Sequence, residues 1–190
     1  CAGTFQPLMA ADGVHVVAVR ATDAAGNEGA VTTSSYTLDT VAPAAPVVVG
    51  QPSPGNDPTP DWTITVEPGA TVECALDAHP FAPCGHSYST DLTGREGQHR
   101  LSVRARDAAG NLSHVVSSSY VLDTIAPAAP VITHAARPGG WTWEFSVPAD
   151  ASAECSVYLN PWFGCASPLA ATPGDTSAPL DVRSVAAAGH

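Results

Sequence analysis

Residues 107–130 read Asp-Ala-Ala-Gly-Asn-Leu-Ser-His-Val-Val-Ser-Ser-Ser-Tyr-Val-Leu-Asp-Thr-Ile-Ala-Pro-Ala-Ala-Pro, and residues 23–46 carry almost the same text 84 positions earlier. Self-similarity at a fixed spacing marks a repeat architecture, and it restricts the fold before any single residue is interpreted. Each part of the repeat has its own physical meaning. Asp-x-x-Gly-Asn is a turn, because Asp can cap backbone amides and Gly can take positive φ. The following stretch is a strand: Tyr36 and Leu38, like Tyr120 and Leu122, stand two apart and share one face. Ala-Pro-Ala-Ala-Pro then removes amide donors and stiffens the chain, so no helix runs through it and a linker is expected after each strand.

The repeat divides the 190 residues into three stretches. Residues 1–42 read as the back part of a repeat. Their 13–20 segment, Gly-Val-His-Val-Val-Ala-Val-Arg, aligns with Gly-Gln-His-Arg-Leu-Ser-Val-Arg at 97–104. Alternation puts His15, Val17 and Val19 on one face, as it does His99, Leu101 and Val103, with Arg20 and Arg104 on the other. Residues 43–126 form the complete copy. Trp62, Ile64 and Val66 alternate inward, Glu67-Pro-Gly turns the chain, Val72, Cys74 and Leu76 return inward, a short hairpin passes Phe81 to reach Cys84, and a further strand is expected from Tyr88 to Leu92. Residues 127–190 begin a third copy, in which Trp143, Phe145 and Val147 take the places of Trp62, Ile64 and Val66, and Leu180 and Val182 point inward opposite Arg183. Its turn has decayed to Ala-Ala-Ala-Gly-His at 186–190 and no Ser-Ser-Tyr strand follows. Many short alternating strands, Gly and Pro turns and no helical period predict an all-β chain of antiparallel β-sandwiches joined by Pro-rich linkers.

Charge narrows the partners. There are 18 Asp and Glu against seven Arg, with no Lys, which disfavours nucleic acid and anionic membrane surfaces and rules out Schiff-base chemistry on Lys. No uncharged run approaches the roughly 20 residues of a spanning helix. The chain begins at Cys1 with no signal peptide ahead of it, as expected of a mature chain or an excised window.

The strongest chemical signal is cysteine spacing. Cys74 and Cys84 lie ten apart, as do Cys155 and Cys165, bracketing the same hairpin. The absence of Cys-x-x-Cys or an adjacent His pair argues against zinc, and both pairs read as disulfides of a protein outside the reducing cytosol. Cys1 is left over and aligns with Cys84; a lipoprotein N-terminus is the other reading of it.

The motifs Cys-x-Leu-Asp at 74–77, Pro-Phe-x-x-Cys at 80–84, Val-Arg-Ala-x-Asp-Ala-Ala-Gly-Asn at 103–111 and Asp-Thr-x-Ala-Pro at 123–127 resemble bacterial Ig-like surface repeats. The resemblance covers nearly the whole chain. It implies Ig-like or fibronectin III-like sandwiches in tandem, exported to the bacterial surface as a stalk, adhesin or appendage component.

For function, no nucleophile elbow, metalloprotease helix or phosphate-binding Gly loop is present, so no enzyme is expected. His15 and His99 read as sandwich-edge histidines. Phe81, Trp162 and Phe163, at the hairpin tips, can stack on a sugar or pack against the neighbouring disulfide. Asp39, Glu67, Asp107 and Asn111 are expected to converge at the first joint, where they can hold Ca²⁺ or simply cap turns; otherwise no cofactor is expected. At the second joint Asp123 and Asp150 remain. Two functions stay open: an extracellular structural repeat forming a stalk, fibre or filament, or an adhesive or carbohydrate-binding module. Other copies of the same chain, docked head to tail across the unfinished third repeat, are the expected partners for the first, and a glycan for the second.

Overall fold

The computed structural model describes residues 4, 11–137, 140–149, 151–157, 161–170 and 180–186. Among them there is no helix, and every strand ladder is antiparallel. The predicted all-β class is therefore what the chain adopts. No helix of the described residues is long and apolar enough to cross a membrane.

The complete copy builds two sheets. Strands β3 (Val47–Gly50), β4 (Asp61–Thr65) and β7 (Ser87–Ser89) form one, in the order β3-β4-β7. Strands β5 (Thr71–Leu76), β6 (Ala82–Cys84), β8 (Gly97–Arg106) and β9 (Val116–Leu122) form the other, in the order β6-β5-β8-β9. Alternation works as the residue types require: β4 buries Trp62 and Ile64 and exposes Asp61, Thr63 and Thr65, while β8 buries His99, Leu101, Val103 and Ala105. One apolar cluster joins the two sheets, with Trp62 and Ile64 from one meeting Val72, Leu76, Leu101, Val103, Tyr120 and Leu122 from the other.

Trp62 is the centre of that core. Its ring meets Tyr120 edge-on at 6.4 Å and Tyr88 at 6.1 Å, and its buried indole N–H donates to Ser118 Oγ at 3.1 Å. Gly50 explains how β3 comes so close, since a Cβ there would lie 2.7 Å from the Trp62 ring. The Tyr120 hydroxyl donates to the Asp57 carbonyl at 2.9 Å, and burial pushes the phenol pKa up.

The strand expected from Tyr88 to Leu92 is shorter than that. It ends at Ser89, because Asp91 turns the chain by accepting from the Thr93 amide at 2.8 Å. Leu92 reaches the core from the loop, fully buried, with its amide on the Pro58 carbonyl at 2.7 Å.

Before the complete copy, β1 (Gly13–Val19) and β2 (Thr32–Leu38) pair as a two-stranded sheet. Its register, Gly13 opposite Leu38 through Val19 opposite Thr32, reproduces that of β8 on β9, Gly97 opposite Leu122 through Val103 opposite Val116. Burial does not follow. Val19 is 63% exposed and Tyr36 59%, against 0% and 1% for their counterparts Val103 and Tyr120. The face that alternation predicted for β1 is half-buried at His15 and Val17 and open at Val19, and the described residues place no second sheet over it.

After the complete copy come two three-stranded sheets. Strands β10 (Val131–Arg137), β11 (Gly140–Ser146) and β14 (Leu169–Ala170) pair in the order β10-β11-β14; β12 (Ala151–Val157), β13 (Phe163–Gly164) and β15 (Leu180–Ala186) pair in the order β13-β12-β15. Phe145 and Cys155 are buried, and Trp143 and Val147 are half-buried. Cys1 lies outside the described residues, as do Asp150 and His190 and the Leu180 side chain.

Candidate functional site

The repeat signature folds into two devices, a turn and a linker, and the structure puts them against each other. In the turn 107–111, Gly110 takes φ 99° and the Asp107 carboxylate draws the loop closed. Asp107 Oδ1 accepts from the Gly110 amide at 2.7 Å and the Asn111 amide at 2.8 Å, and its Oδ2 accepts from Asn111 Nδ2 at 2.9 Å. These bonds, the one from the Asn111 side chain foremost, hold the carboxyl below its ordinary pKa.

The same Asn111 side-chain amide reaches back across the chain. Its Nδ2 donates to the Asp39 carbonyl at 3.1 Å and the Val41 carbonyl at 3.2 Å. Asp107 thus orients an amide whose free hydrogen is shared between two carbonyls of the preceding linker. Glu67 adds a grip from the turn after β4, its Oε2 accepting from the Ala44 amide at 3.0 Å. On its other side the linker is tied to its own repeat, since Asp12 accepts from the Thr40 amide at 3.0 Å and the Thr40 hydroxyl at 2.9 Å. Pro43 and Pro46 are buried. A segment that composition marks as a spacer is fixed at both ends and seated in the middle.

Asp39, Glu67, Asp107 and Asn111 are all at this joint, in hydrogen-bonding roles. Asp39 Oδ1 caps the Val41 amide at 3.0 Å. Among the described residues, no three His, Cys, Asp or Glu side chains are placed to share a metal ion. Sequence reasoning brought these four together as oxygen ligands and did not foresee that the Asn nitrogen is the atom that spans the joint. Asp12 is a further holder of the linker that sequence reasoning missed; the acidic residue at the same 84-residue offset, Glu96, is its signal.

At the second linker the described residues show a partly different set of bonds. Glu96 takes the place of Asp12, accepting from the Thr124 amide at 3.0 Å and from the Thr124 hydroxyl. Asp123 Oδ1 caps the Ile125 amide at 3.1 Å. From the following sheets, Ser184 Oγ donates to the Ala128 carbonyl at 2.8 Å. The position of Glu67 is filled by Pro148, which has no carboxylate, and Pro127 and Pro130 are only half-buried.

At the hairpin tips both disulfides form, Cys74 with Cys84 and Cys155 with Cys165, at Cα separations of 5.8 and 5.9 Å. Phe81 is capped by the Arg104 guanidinium, 4.2 Å from its ring centre, and Arg104 is bonded to Glu73 at 2.7 Å. Arg106 takes the other oxygen of Glu73 at 2.9 Å, and the bond from Arg104, with that from Arg106 behind it, holds the Glu73 pKa down. The third copy repeats the arrangement: Arg183 lies 4.6 Å over the Trp162 ring and binds Glu154 at 2.7 Å. Trp162 and Phe163 remain 41% and 44% exposed. Stacking on a guanidinium was the use that sequence reasoning missed, and the Arg on the outward face of each strand was its signal.

A pocket of about 470 Å³ opens beside the first disulfide, with Leu76, Pro80 and Tyr88 as apolar walls and His79 and Arg95 at its polar side. Behind it lies an ion-pair network unseen in the sequence. Asp77, at φ 53°, bonds Arg95 at 2.9 Å and buried His99 at 3.0 Å, and accepts from the Arg100 amide at 2.9 Å. Burial works to raise the Asp77 pKa, but the bonds from Arg100 and His99 outweigh it and the carboxyl sits below its ordinary value. His99 Nε2 lies 2.7 Å from the Arg95 carbonyl, as His15 Nε2 lies 2.8 Å from the Ala11 carbonyl.

No protein-family model matches the chain, and no curated protein matches it. Among solved structures, the chain is similar to the FN1–FN3 domains of chicken CNTN1 at 10% sequence identity and a TM-score of 0.41, over 92% of this chain and 73% of the other.

Proposed function

We propose that this chain is a non-catalytic, extracellular structural repeat protein of a bacterial surface, its Ig-like sandwiches carried in tandem as part of a stalk, fibre or filament. The first joint carries the reading. A linker held by its own repeat through Asp12 and by the next through Asn111 and Glu67 transmits orientation from one repeat to the next, which a flexible tether does not. The two cystines support export to an oxidising compartment. Closing each loop of about eleven residues stabilises its hairpin by roughly 2.5 to 3 kcal/mol in the chain-entropy model. Small-angle scattering of the purified chain tests the reading. An elongated particle with a well-defined long axis is expected, and negative-stain images of the native assembly should show fibres. A compact or freely jointed particle contradicts it.

A second reading has its own observation. Exposed Trp162 and Phe163, with Arg183 already stacked on the indole, suit a glycan-binding or adhesive tip. A glycan array on which binding to one sugar class disappears with Trp162→Ala would favour that reading; a blank array favours the structural one.

A further inference from the structure

The turn 23–27 is built like the turn 107–111 and, among the described residues, has no linker against it. Asp23 Oδ1 accepts from the Ala25 amide at 2.9 Å and the Asn27 amide at 2.8 Å, and Asp23 Oδ2 accepts from Asn27 Nδ2 at 2.8 Å. The backbone closes identically, Asp23 N on Asn27 O at 3.0 Å where Asp107 N meets Asn111 O at 3.1 Å, with Gly26 at φ 89°. Isolated bridges flank both turns at the same offset, Thr22 with Glu28 and Arg106 with Leu112. Asn27 is exposed, and among the described residues its side-chain amide meets Asp23 and no acceptor outside the turn. One hydrogen of an amide locked in orientation by a carboxylate therefore remains to be donated.

We propose that this turn is a receptor for the linker of another repeat: an extended Asp-Thr-x-Ala-Pro segment whose Asp carbonyl, and the carbonyl two residues on, accept from Asn27 Nδ2. The partner's chemistry is read from the joint that is already formed. Asn111, in the same setting, takes the Asp39 and Val41 carbonyls of just such a segment. Proline suits the role because it holds the segment extended and removes amides that would otherwise need partners. Each repeat would then carry a clasp at one end and the segment to be clasped at the other, the polarity that an open head-to-tail array needs. The proposal rests on the tandem reading above and adds a specific receptor to it.

The test is titration of the ¹⁵N-labelled chain with a peptide of residues 34–46, followed by NMR. A saturable shift of the Asn27 side-chain amide is expected. The Asn111 amide should stay unmoved, because its own linker is tethered beside it at high effective concentration. Asn27→Ala should weaken binding by roughly tenfold, as loss of one or two neutral hydrogen bonds implies. Unchanged β1 and β2 resonances show that the variant hairpin is intact; if Asn27→Ala disturbs them, Asn27→Ser, which can still bond Asp23 but cannot span to the peptide, gives the same comparison. No saturable shift at Asn27 up to about 10 mM peptide, beyond the effective concentration of a short tether, would overturn the proposal. So would binding that survives both substitutions, which would move the peptide to the exposed valines of the hairpin, Val14, Val16 and Val19. Failure here leaves the structural function standing if scattering still shows an elongated particle.

Discussion

The two linkers are near copies in sequence and unlike in their surroundings. Both begin Asp-Thr-x-Ala-Pro, both cap their own amide through the leading Asp, and both tie their Thr to an acid of the repeat they leave. The difference lies in what receives them. The first is received by a carboxylate at Glu67 and an oriented amide at Asn111, and its prolines are buried; among the described residues the second is met by the Ser184 hydroxyl, has Pro148 in the place of Glu67, and its prolines are half-buried, while His190, the counterpart of Asn111, lies outside them. Among the described residues the two near-identical linkers are thus held by different bonds, and a proline-rich linker is expected to be stiff or loose according to its receiver as well as its composition.

The severest way to break the contrast is to remove the receiver. Trp62→Ala empties the centre of the core, a truncation that typically costs about 3 to 5 kcal/mol, a large part of a small domain's stability. Melting of the middle sandwich should fall steeply, and protease should then cut within 39–46. A linker that stays resistant after that melting would mean that it is ordered without the receiver. Less drastic is Asp107→Ala, which removes the cap from two backbone amides and the group orienting Asn111, at about 0.5 to 2 kcal/mol by analogy with loss of a cap. It should lower the melting temperature and loosen the first joint, leaving the second unchanged.

A gain tests the same idea in reverse. Pro148→Glu places at the second joint the carboxylate that Glu67 supplies at the first, and a bond to the Ala128 amide should add about 0.5 to 1.5 kcal/mol. Slower exchange of the Ala128 amide in the variant is the readout; no slowing would show that the backbone there does not present the residue as β4's turn does.

Acid should act on the first joint in one direction. The Asp107 pKa is depressed in the folded protein, so its contribution is present above the unfolded-state value of about 3.9 and is lost as pH falls through the lower folded value. Loosening of the first linker below about pH 4, smaller in Asp107→Asn, which leaves the Glu67 and Asp12 carboxylates in place, is the expected behaviour. The smallest effect expected is that of Ca²⁺. Because Asp39, Glu67 and Asp107 spend oxygens on amides at this joint, neither millimolar Ca²⁺ nor EDTA should shift the melting curve, and a calorimetric uptake would reopen the site as a cation centre.

Much of this was legible in the residues because it is local. Alternation through Trp62 and Ile64 fixes the faces of β4, equal spacing pairs the cysteines, and the Asp-x-x-Gly-Asn turns close as their residue types require. What was not legible depends on residues far apart in sequence. Leu92 reads as strand because it is apolar and stands an even four residues from Tyr88, yet Asp91 ends the strand and tertiary packing buries the leucine from a loop. The hairpin of β1 and β2 has the text of a half-buried sheet, but burial belongs to the covering sheet and not to the strand. Asn111 reads as a turn residue or an oxygen ligand, since no local pattern shows that its nitrogen meets carbonyls 70 and 72 residues away.

The most direct measurement is of distance distributions across the two joints by pulsed electron resonance. Spin-labelled amino acids at exposed Thr33 and Ser89 would report the first, and at Gln98 and Ala166 the second. A narrow distribution across the first joint and a broader one across the second are expected, with Asn111→Ala combined with Glu67→Ala broadening the first until it resembles the second. Equal widths in the native chain, or a first joint that stays narrow in the double variant, would contradict the claim that the receiving repeat sets the stiffness of the linker.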